Sequence, residues 1–394
     1  MIINSILDSD AYKFNMQQGV LELFPKATSV YKFINRGIQR FPKGFEDKIN
    51  DEIENMSTLK LTKDEYTWLK YNNSFYKPWY LEYLKNYRYD PRAVKAGRDK
   101  EDKLDIDIKG DWHLNINWEV ALMAVTSELY FRDVDTNWDY DSQFTQSYEK
   151  SIKLAHNDCY YAEFGTRRRR SYKSQEDAIL THRAVGPGKP KTTLVGTSNV
   201  HFAMKHGLKA IGTQAHEWFM AMSVLESLRN ANYYGLHNWV RVYNADLGIA
   251  LPDTFGLLAF LKNFNLRLAK LYDGVRHDSG CPFEFTDKIV THYKNLGIDP
   301  LSKTIIFSDG LNVDKAIKIK KYCEEKIKCS FGIGTHLTND FPNSPALNMV
   351  IKLWSCNGVP VVKLSDTPGK VMGDSDAVRV AQWVHQGKEL YDCD

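Results

Sequence analysis

From about residue 159 the sequence keeps a strict rhythm: short β-prone runs recur, each closing in a cluster of small and polar residues before helix-like text. The runs are CYYAEF into GTRRRR, TTLVG into TSN, LKAIGT into QAHE, DLGIAL into PDTF, KLYDGV into RHDSG, TIIFS into DG, and CSFGI into GTH. Most spacings fit one strand, one helix and two loops. Strands that alternate with helices pair in parallel through right-handed crossovers. Seven such units, with NMVIKLW (348–354) as an eighth, count out to a β/α barrel. Chemistry in such barrels sits on the loops after the strands, where these polar clusters fall. A doubly wound open sheet is the competitor, but no G-x-G-x-x-G opens a helix near the first strand.

The chain before this rhythm reads differently. Asp8 and Ser9 are possible caps for a helical segment running to about Leu23, and a lysine- and acid-rich stretch follows. LDIDIKG and LNINWEV alternate as a pair of short strands, and WEVALMAVTSELYF (118–131) reads as a buried helix. VIKLWSCNGVPVVKLSD carries a hairpin signal at Asn357-Gly358, which would return the tail to this first unit. VGPGKPKTT (185–193) is the best candidate for a mobile loop.

Composition narrows the function. Lys+Arg 52 against Asp+Glu 49 is too balanced for a nucleic-acid binder, though it leaves room for a local anion site. The longest apolar stretch, 247–261, is too short for a membrane span and contains Asp253. The N-terminal residues lack the basic and apolar regions of a signal peptide, and the 6 cysteines form no C-x-x-C pair. A cytoplasmic protein with free thiols is expected.

Each polar cluster has a bland reading and a chemical one. FGTRRRR (164–170) sets four arginines where a helix is expected to start, against the macrodipole. A bound anion would offset them, and Phe164 is either core or a ring that stacks on an aromatic substrate. Gly332 and Gly334 in GIGTHLT (332–338) make a tight turn or, in the seventh unit, a phosphate cradle. His216 in GTQAHEW is a structural histidine or a nucleophile oriented by Asp253 at the next strand end. Arg276 and Asp278 of RHDSG and Asp309 of SDG form turns, or hold ribose hydroxyls or a magnesium ion.

Together DAYKFNMQQ (10–18), FGTRRR, VGTSN (195–199), GTQAHEW, RHDSG, FSDGLN (307–312), SFGIGT (330–335) and KLSDTPGK (363–370) closely resemble the nicotinate phosphoribosyltransferase family, in order over nearly the whole chain. The resemblance implies a type II phosphoribosyltransferase fold. That is an irregular α/β barrel, here residues 136–354, beside an α/β domain of residues 1–135 completed by 355–394. It implies coupling of nicotinate and phosphoribosyl pyrophosphate to nicotinate mononucleotide and pyrophosphate, with Mg2+ and with ATP phosphorylating His216. Asp253 would orient that imidazole. Phe164 and a Tyr12 from a second subunit would sandwich the pyridine, so a homodimer would share its sites. Arg167 and Arg276 would face the carboxylate and the phosphates, and Asp278 and Asp309 the ribose. Gly334 and Thr335 would hold the 5′-phosphate. Thr197 and Ser198 lie in the stretch where a nicotinamide-using relative carries an aspartate, and a hydroxyl at Ser198 suits a carboxylate. Cys281 stands where the family often has an aspartate, a departure bearing on a metal or loop contact. The alternatives are a nicotinamide phosphoribosyltransferase, a quinolinate phosphoribosyltransferase, and a non-catalytic metabolite-binding protein on the same scaffold.

Overall fold

A computed structural model describes residues 1–184, 191–212, 214–367 and 369–388. Most of the 185–193 loop therefore lies outside the described residues. Thr28–Asn35 (β1) and Leu104–Asp111 (β3) alternate buried and less buried residues, with Tyr31, Phe33, Ile106 and Ile108 turned into the core. That period of two builds a half-buried antiparallel sheet. Val94–Arg98 (β2) pairs with β3, and β3 with β1. Met349–Cys356 (β10) lies along β1 from Ser29↔Cys356 to Asn35↔Met349, and Val359–Pro360 (β11) turns back beside it. The sheet order is β11-β10-β1-β3-β2.

This corrects two expectations. NMVIKLW is not an eighth barrel strand: Met349, Ile351 and Leu353 are buried while their neighbours are not, the signature of a one-sided antiparallel strand. β10 runs through position 354, so the C-terminal contribution to the first unit begins at 349. LNINWEV is not a strand either. Residues Trp112–Asn115 coil into a helical turn that leads to the helix Trp118–Asp133, burying Trp112, Ile116 and Trp118.

The rhythmic half forms a second sheet from Tyr161–Glu163 (β4), Leu194–Thr197 (β5), Ile249–Ala250 (β6), Gly274–His277 (β7), Thr304–Phe307 (β8) and Lys328–Ile333 (β9). All of its pairs are parallel, in the order β5-β4-β9-β8-β7-β6. LKAIGT adds a single parallel bridge, Thr197↔Ala210, to the free edge of β5. Its far neighbour is reached through a side chain, since Leu251 N donates to Gln214 Oε1 at 3.2 Å. Phe164, Ser198, Ile211, Ile249, Arg276 and Ile306, from six different strands or strand ends, line one cavity, so the sheet closes round it. The closure is irregular, as the resemblance implies. Among the described residues no helix is long and apolar enough to cross a membrane.

Candidate active site

The arginine run divides its charges. Thr166–Arg168 is a single 3-10 turn, and the following helix, Tyr172–Arg183, starts after Ser171 with a reciprocal Ser171–Ser174 cap. The arginines therefore precede the helix, and the expected conflict with its dipole does not arise. Arg169 is fully buried and grips Asp8 with two hydrogen bonds, of 2.8 and 3.0 Å. Arg170 is equally buried, its guanidinium 3.6 Å from the Phe131 ring centre and 4.1 Å from that of Phe341. Burial pulls Arg170 down to about 9. Arg167 and Arg168 instead line a cleft of about 190 Å³ at the C-terminal ends of the parallel strands.

A smaller cavity opens beneath that cleft and shares Tyr12, Phe164, Arg167 and Arg276 with it. Phe164 packs against Gly332, where an added Cβ would come 2.4 Å from the ring. Tyr12 opens the helix Ala11–Leu23, which is tied to the end of β5 by Ala11 N donating to Ser198 O at 2.7 Å. Tyr12 thus reaches the cavity from the same chain as Phe164. Within the one chain, the N-terminal segment runs across the barrel mouth and sets Tyr12 at the cavity. Among the described residues no ring contact joins Tyr12 to Phe164; both line the cavity without stacking on each other.

Polar groups in this cavity differ from expectation. Ser198 Oγ donates to Asp10 Oδ1 at 2.6 Å, so its hydrogen is already committed. Asp10 is buried, which raises its carboxyl, and it faces Arg167 at 3.8 Å. Thr197 lies outside the cavity: its hydroxyl donates to buried Glu163 at 2.6 Å. Among the described residues the buried Arg276 Nε has no hydrogen-bond partner, and its Nη2 is 3.9 Å from Asp278.

His216 opens the helix His216–Leu225 at the cleft wall. Its Nδ1 lies 3.1 Å from Thr254 Oγ1, and its Nε2 lies 2.8 Å from Asp278 Oδ2 and 2.9 Å from Lys363 Nζ. Asp253, the expected orienting partner, is 3.6 Å from Nε2 and instead accepts from Ser279 at 2.7 Å and pairs with Lys363 at 3.3 Å. The loop after β6 delivers Thr254 together with Asp253, which is why the hydroxyl takes the inner ring nitrogen. Burial, helped by the Lys363 charge, lowers His216 to about 4, so the ring is neutral near pH 7 despite the Asp253 and Asp278 carboxylates. Donor atoms of His216, Asp253 and Asp278 all lie within 4.8 Å of one another. The Lys363 ammonium already supplies the positive charge there, so this cluster does not fit a resident divalent cation.

Gly334 and Thr335 line the cleft at the end of β9, and Asp278 lines it while accepting from Ser308 at 2.8 Å. Asp309 does not line it; Lys370 holds its carboxylate at 2.6 Å. Cys281 is exposed and precedes the helix Pro282–Asn295. The sequence reading missed Asp10, Glu119, Glu217, Lys352 and Lys363. Three of them lay inside quoted motifs, and Lys352 left a trace as the one lysine of VIKLW. Lys352 lines the cleft 3.5 Å from Glu119, and burial lowers it to about 8. Arg168 is likewise lowered, to about 10, by burial and by Arg167 and Arg36 nearby. Cations disfavoured by their own surroundings gain most when an anion arrives.

A parallel barrel with an anion-receiving rim, beside an antiparallel sheet made from both ends of the chain, is the architecture of the type II phosphoribosyltransferases. The model of the nicotinate phosphoribosyltransferase family matches residues 159–389, and that of the family's N-terminal domain matches 7–127. A nicotinate phosphoribosyltransferase of Methanosarcina acetivorans is 52% identical over 408 residues, covering 99% of this chain and 100% of its own. One from Methanococcoides burtonii is 47% identical, covering 99% of each. The crystal structure of nicotinate phosphoribosyltransferase from Porphyromonas gingivalis superposes with a TM-score of 0.93 at 38% identity, over 97% of this chain and 99% of that one. The chain belongs to the nicotinate phosphoribosyltransferase family.

Proposed function

We propose that the protein joins nicotinate to the ribosyl carbon of phosphoribosyl pyrophosphate, releasing pyrophosphate and forming nicotinate mononucleotide for NAD synthesis. The observation that carries this reading is the two-storey site: a ring-lined cavity below, a cationic cleft above, with Arg276 lining both. The pyridine lies between Tyr12 and Phe164. Its carboxylate takes Arg276 Nε, which has no partner among the described residues, and Arg167. The ring nitrogen then faces upward to the anomeric carbon. The developing positive charge on the sugar sits near Asp278, and the departing pyrophosphate meets Arg168 and Lys352. Mg2+ arrives as part of the phosphate-bearing substrates, which is how this ion is usually held.

One feature favours the amide instead: Asp10 in the lower cavity would accept its N–H. Two guanidiniums, Arg167 and Arg276, line the cavity with that single carboxylate and leave its lining net positive, and this favours nicotinate. ATP acts as a phosphoryl donor to His216, whose neutral ring and cleft-facing Nε2 suit a nucleophile. A homodimer and a cytoplasmic site of action accompany the reading.

Product formation from nicotinate and nicotinamide side by side, with and without ATP, tests the proposal. Nicotinate should win by at least tenfold in kcat/KM, since a mismatched buried polar group costs about 1–3 kcal/mol. ATP should raise turnover in the native protein and leave His216→Asn at a slow basal rate. Equal use of both substrates would overturn the specificity, and full ATP stimulation of His216→Asn would overturn the phosphohistidine.

A further inference from the structure

KLSDTPGK (363–370) helped to establish the resemblance without receiving a role, yet its first residue sits against the imidazole. Lys363 leaves the C-terminal hairpin, where it bridges to Met372, and Leu364 N donates to Thr254 O at 2.8 Å. This places the lysine loop on the same turn that presents Thr254 and Asp253. Nε2 of His216 consequently has two claimants, Asp278 Oδ2 at 2.8 Å and Lys363 Nζ at 2.9 Å. A neutral imidazole has one in-plane position at that nitrogen. It can hold a hydrogen for the carboxylate or a lone pair for the ammonium, but not both.

We infer that Lys363 is a positioning residue that selects the tautomer of His216, donating to Nε2 so that the ring hydrogen stays on Nδ1 against Thr254 and Nε2, the nitrogen nearer Asp278 and Lys363, keeps its lone pair. Without that donor, Asp278 would draw the hydrogen to Nε2. The only free lone pair would then lie on Nδ1, buried against Thr254 and out of reach of a phosphoryl group. The groups facing the ring are Asp253, Asp278 and Lys363, with Arg276 behind Asp278. Phosphoryl transfer then balances without proton loss. Lys363 gives up its hydrogen bond to Nε2 and turns its ammonium to the incoming phosphoryl oxygens; the Nε2–P bond forms, the bond from the γ-phosphorus to the bridging oxygen breaks, and its electron pair leaves on ADP. The ring keeps its Nδ1 hydrogen, and Asp253 and Asp278 offset the positive charge.

The inference rests on the phosphohistidine reading for its rate, though not for its structural content. Ring-nitrogen NMR of histidine-labelled protein without nucleotide, with the His216 signals assigned by loss in His216→Asn, reads the tautomer directly. Wild type at neutral pH should show a pyridine-type Nε2 and a pyrrole-type Nδ1, and Lys363→Met should reverse them. A pyrrole-type Nε2 in wild type, or an unchanged pattern in Lys363→Met, overturns the inference. If Lys363→Met fails to fold, the wild-type pattern decides alone. With Mg-ATP, His216 phosphorylation in Lys363→Met should slow by roughly tenfold, and an unchanged rate also overturns it. Should wild type take up no phosphoryl group, the ATP-coupled reading fails, while the nucleotide-free spectra still judge the tautomer.

Discussion

Arg167 and Arg169 are two positions apart and serve opposite ends. Arg169 neutralises an acid that has no water around it, since both it and Asp8 are fully buried. Arg169→Met should therefore strand a buried carboxylate and cost about 3–5 kcal/mol in urea unfolding. Arg167 is partly exposed at the cleft and pairs loosely, at 3.8 Å with Asp10 and 3.7 Å with Glu119. Arg167→Met should leave the unfolding midpoint almost unchanged and raise the KM for nicotinate by about tenfold or more. A matching loss of stability in both variants would contradict this division. The run of four arginines announced an anion site in the sequence, but which of them face it depends on where the 3-10 turn points each side chain. Ser198 teaches a similar lesson. Its hydroxyl was legible as a polar group near the ring, whereas its commitment to Asp10 depends on a helix start nearly two hundred residues away.

Strand ends carry the site, so their fastening matters. Glu163 closes β4 and accepts from Thr197 of β5 and from Gln175 Nε2 at 3.0 Å. Burial raises Glu163 to about 7 from an ordinary value of 4.5. The folded state thus binds a proton that the unfolded chain releases between those two values. Stability from this group is complete below about pH 4.5 and falls away as pH rises through about 7. Between about pH 5 and pH 8, wild type should lose on the order of 2–3 kcal/mol more stability than Glu163→Gln. Parallel urea titrations of the two proteins check this; equal losses would mean that Glu163 ionises freely. β9 offers a second test. Gly332→Ala would press a methyl group into the Phe164 ring, so the ring must shift. We expect nicotinate binding to weaken severalfold, with a stability cost of about 1–3 kcal/mol for the overpacked contact. Calorimetric binding beside thermal unfolding separates the two effects, and unaltered nicotinate affinity would argue against ring stacking.

For the whole molecule, the sharpest consequence concerns how sites are shared. Tyr12 and Phe164 line one cavity within one chain. Mixing Tyr12→Ala with Phe164→Ala protein should leave activity at the level of the two parents, because every site in a mixed dimer keeps one defect. Recovery of activity after confirmed subunit exchange would show that the ring pair is completed between subunits. The parallel-stranded half was readable in the sequence because its signals are local: strand, polar cluster and helix follow one another, and chain direction does the rest. Six of the seven strand ends so marked, all but PDTF, deliver residues to the cleft or the cavity below it. β10 was misassigned for the same reason. Its apolar text looks like any barrel strand, and its partner, β1, lies more than three hundred residues earlier. His216, Asp278 and Arg276 were visible as reactive residue types at strand ends. Their partners were not: Lys363, Lys352 and Asp10 come from chain termini that fold back over the barrel mouth. Pattern along a chain encodes local backbone preference and which strand ends carry polar groups. Which lysine meets which histidine depends on how distant segments pack, and no spacing in the sequence records that.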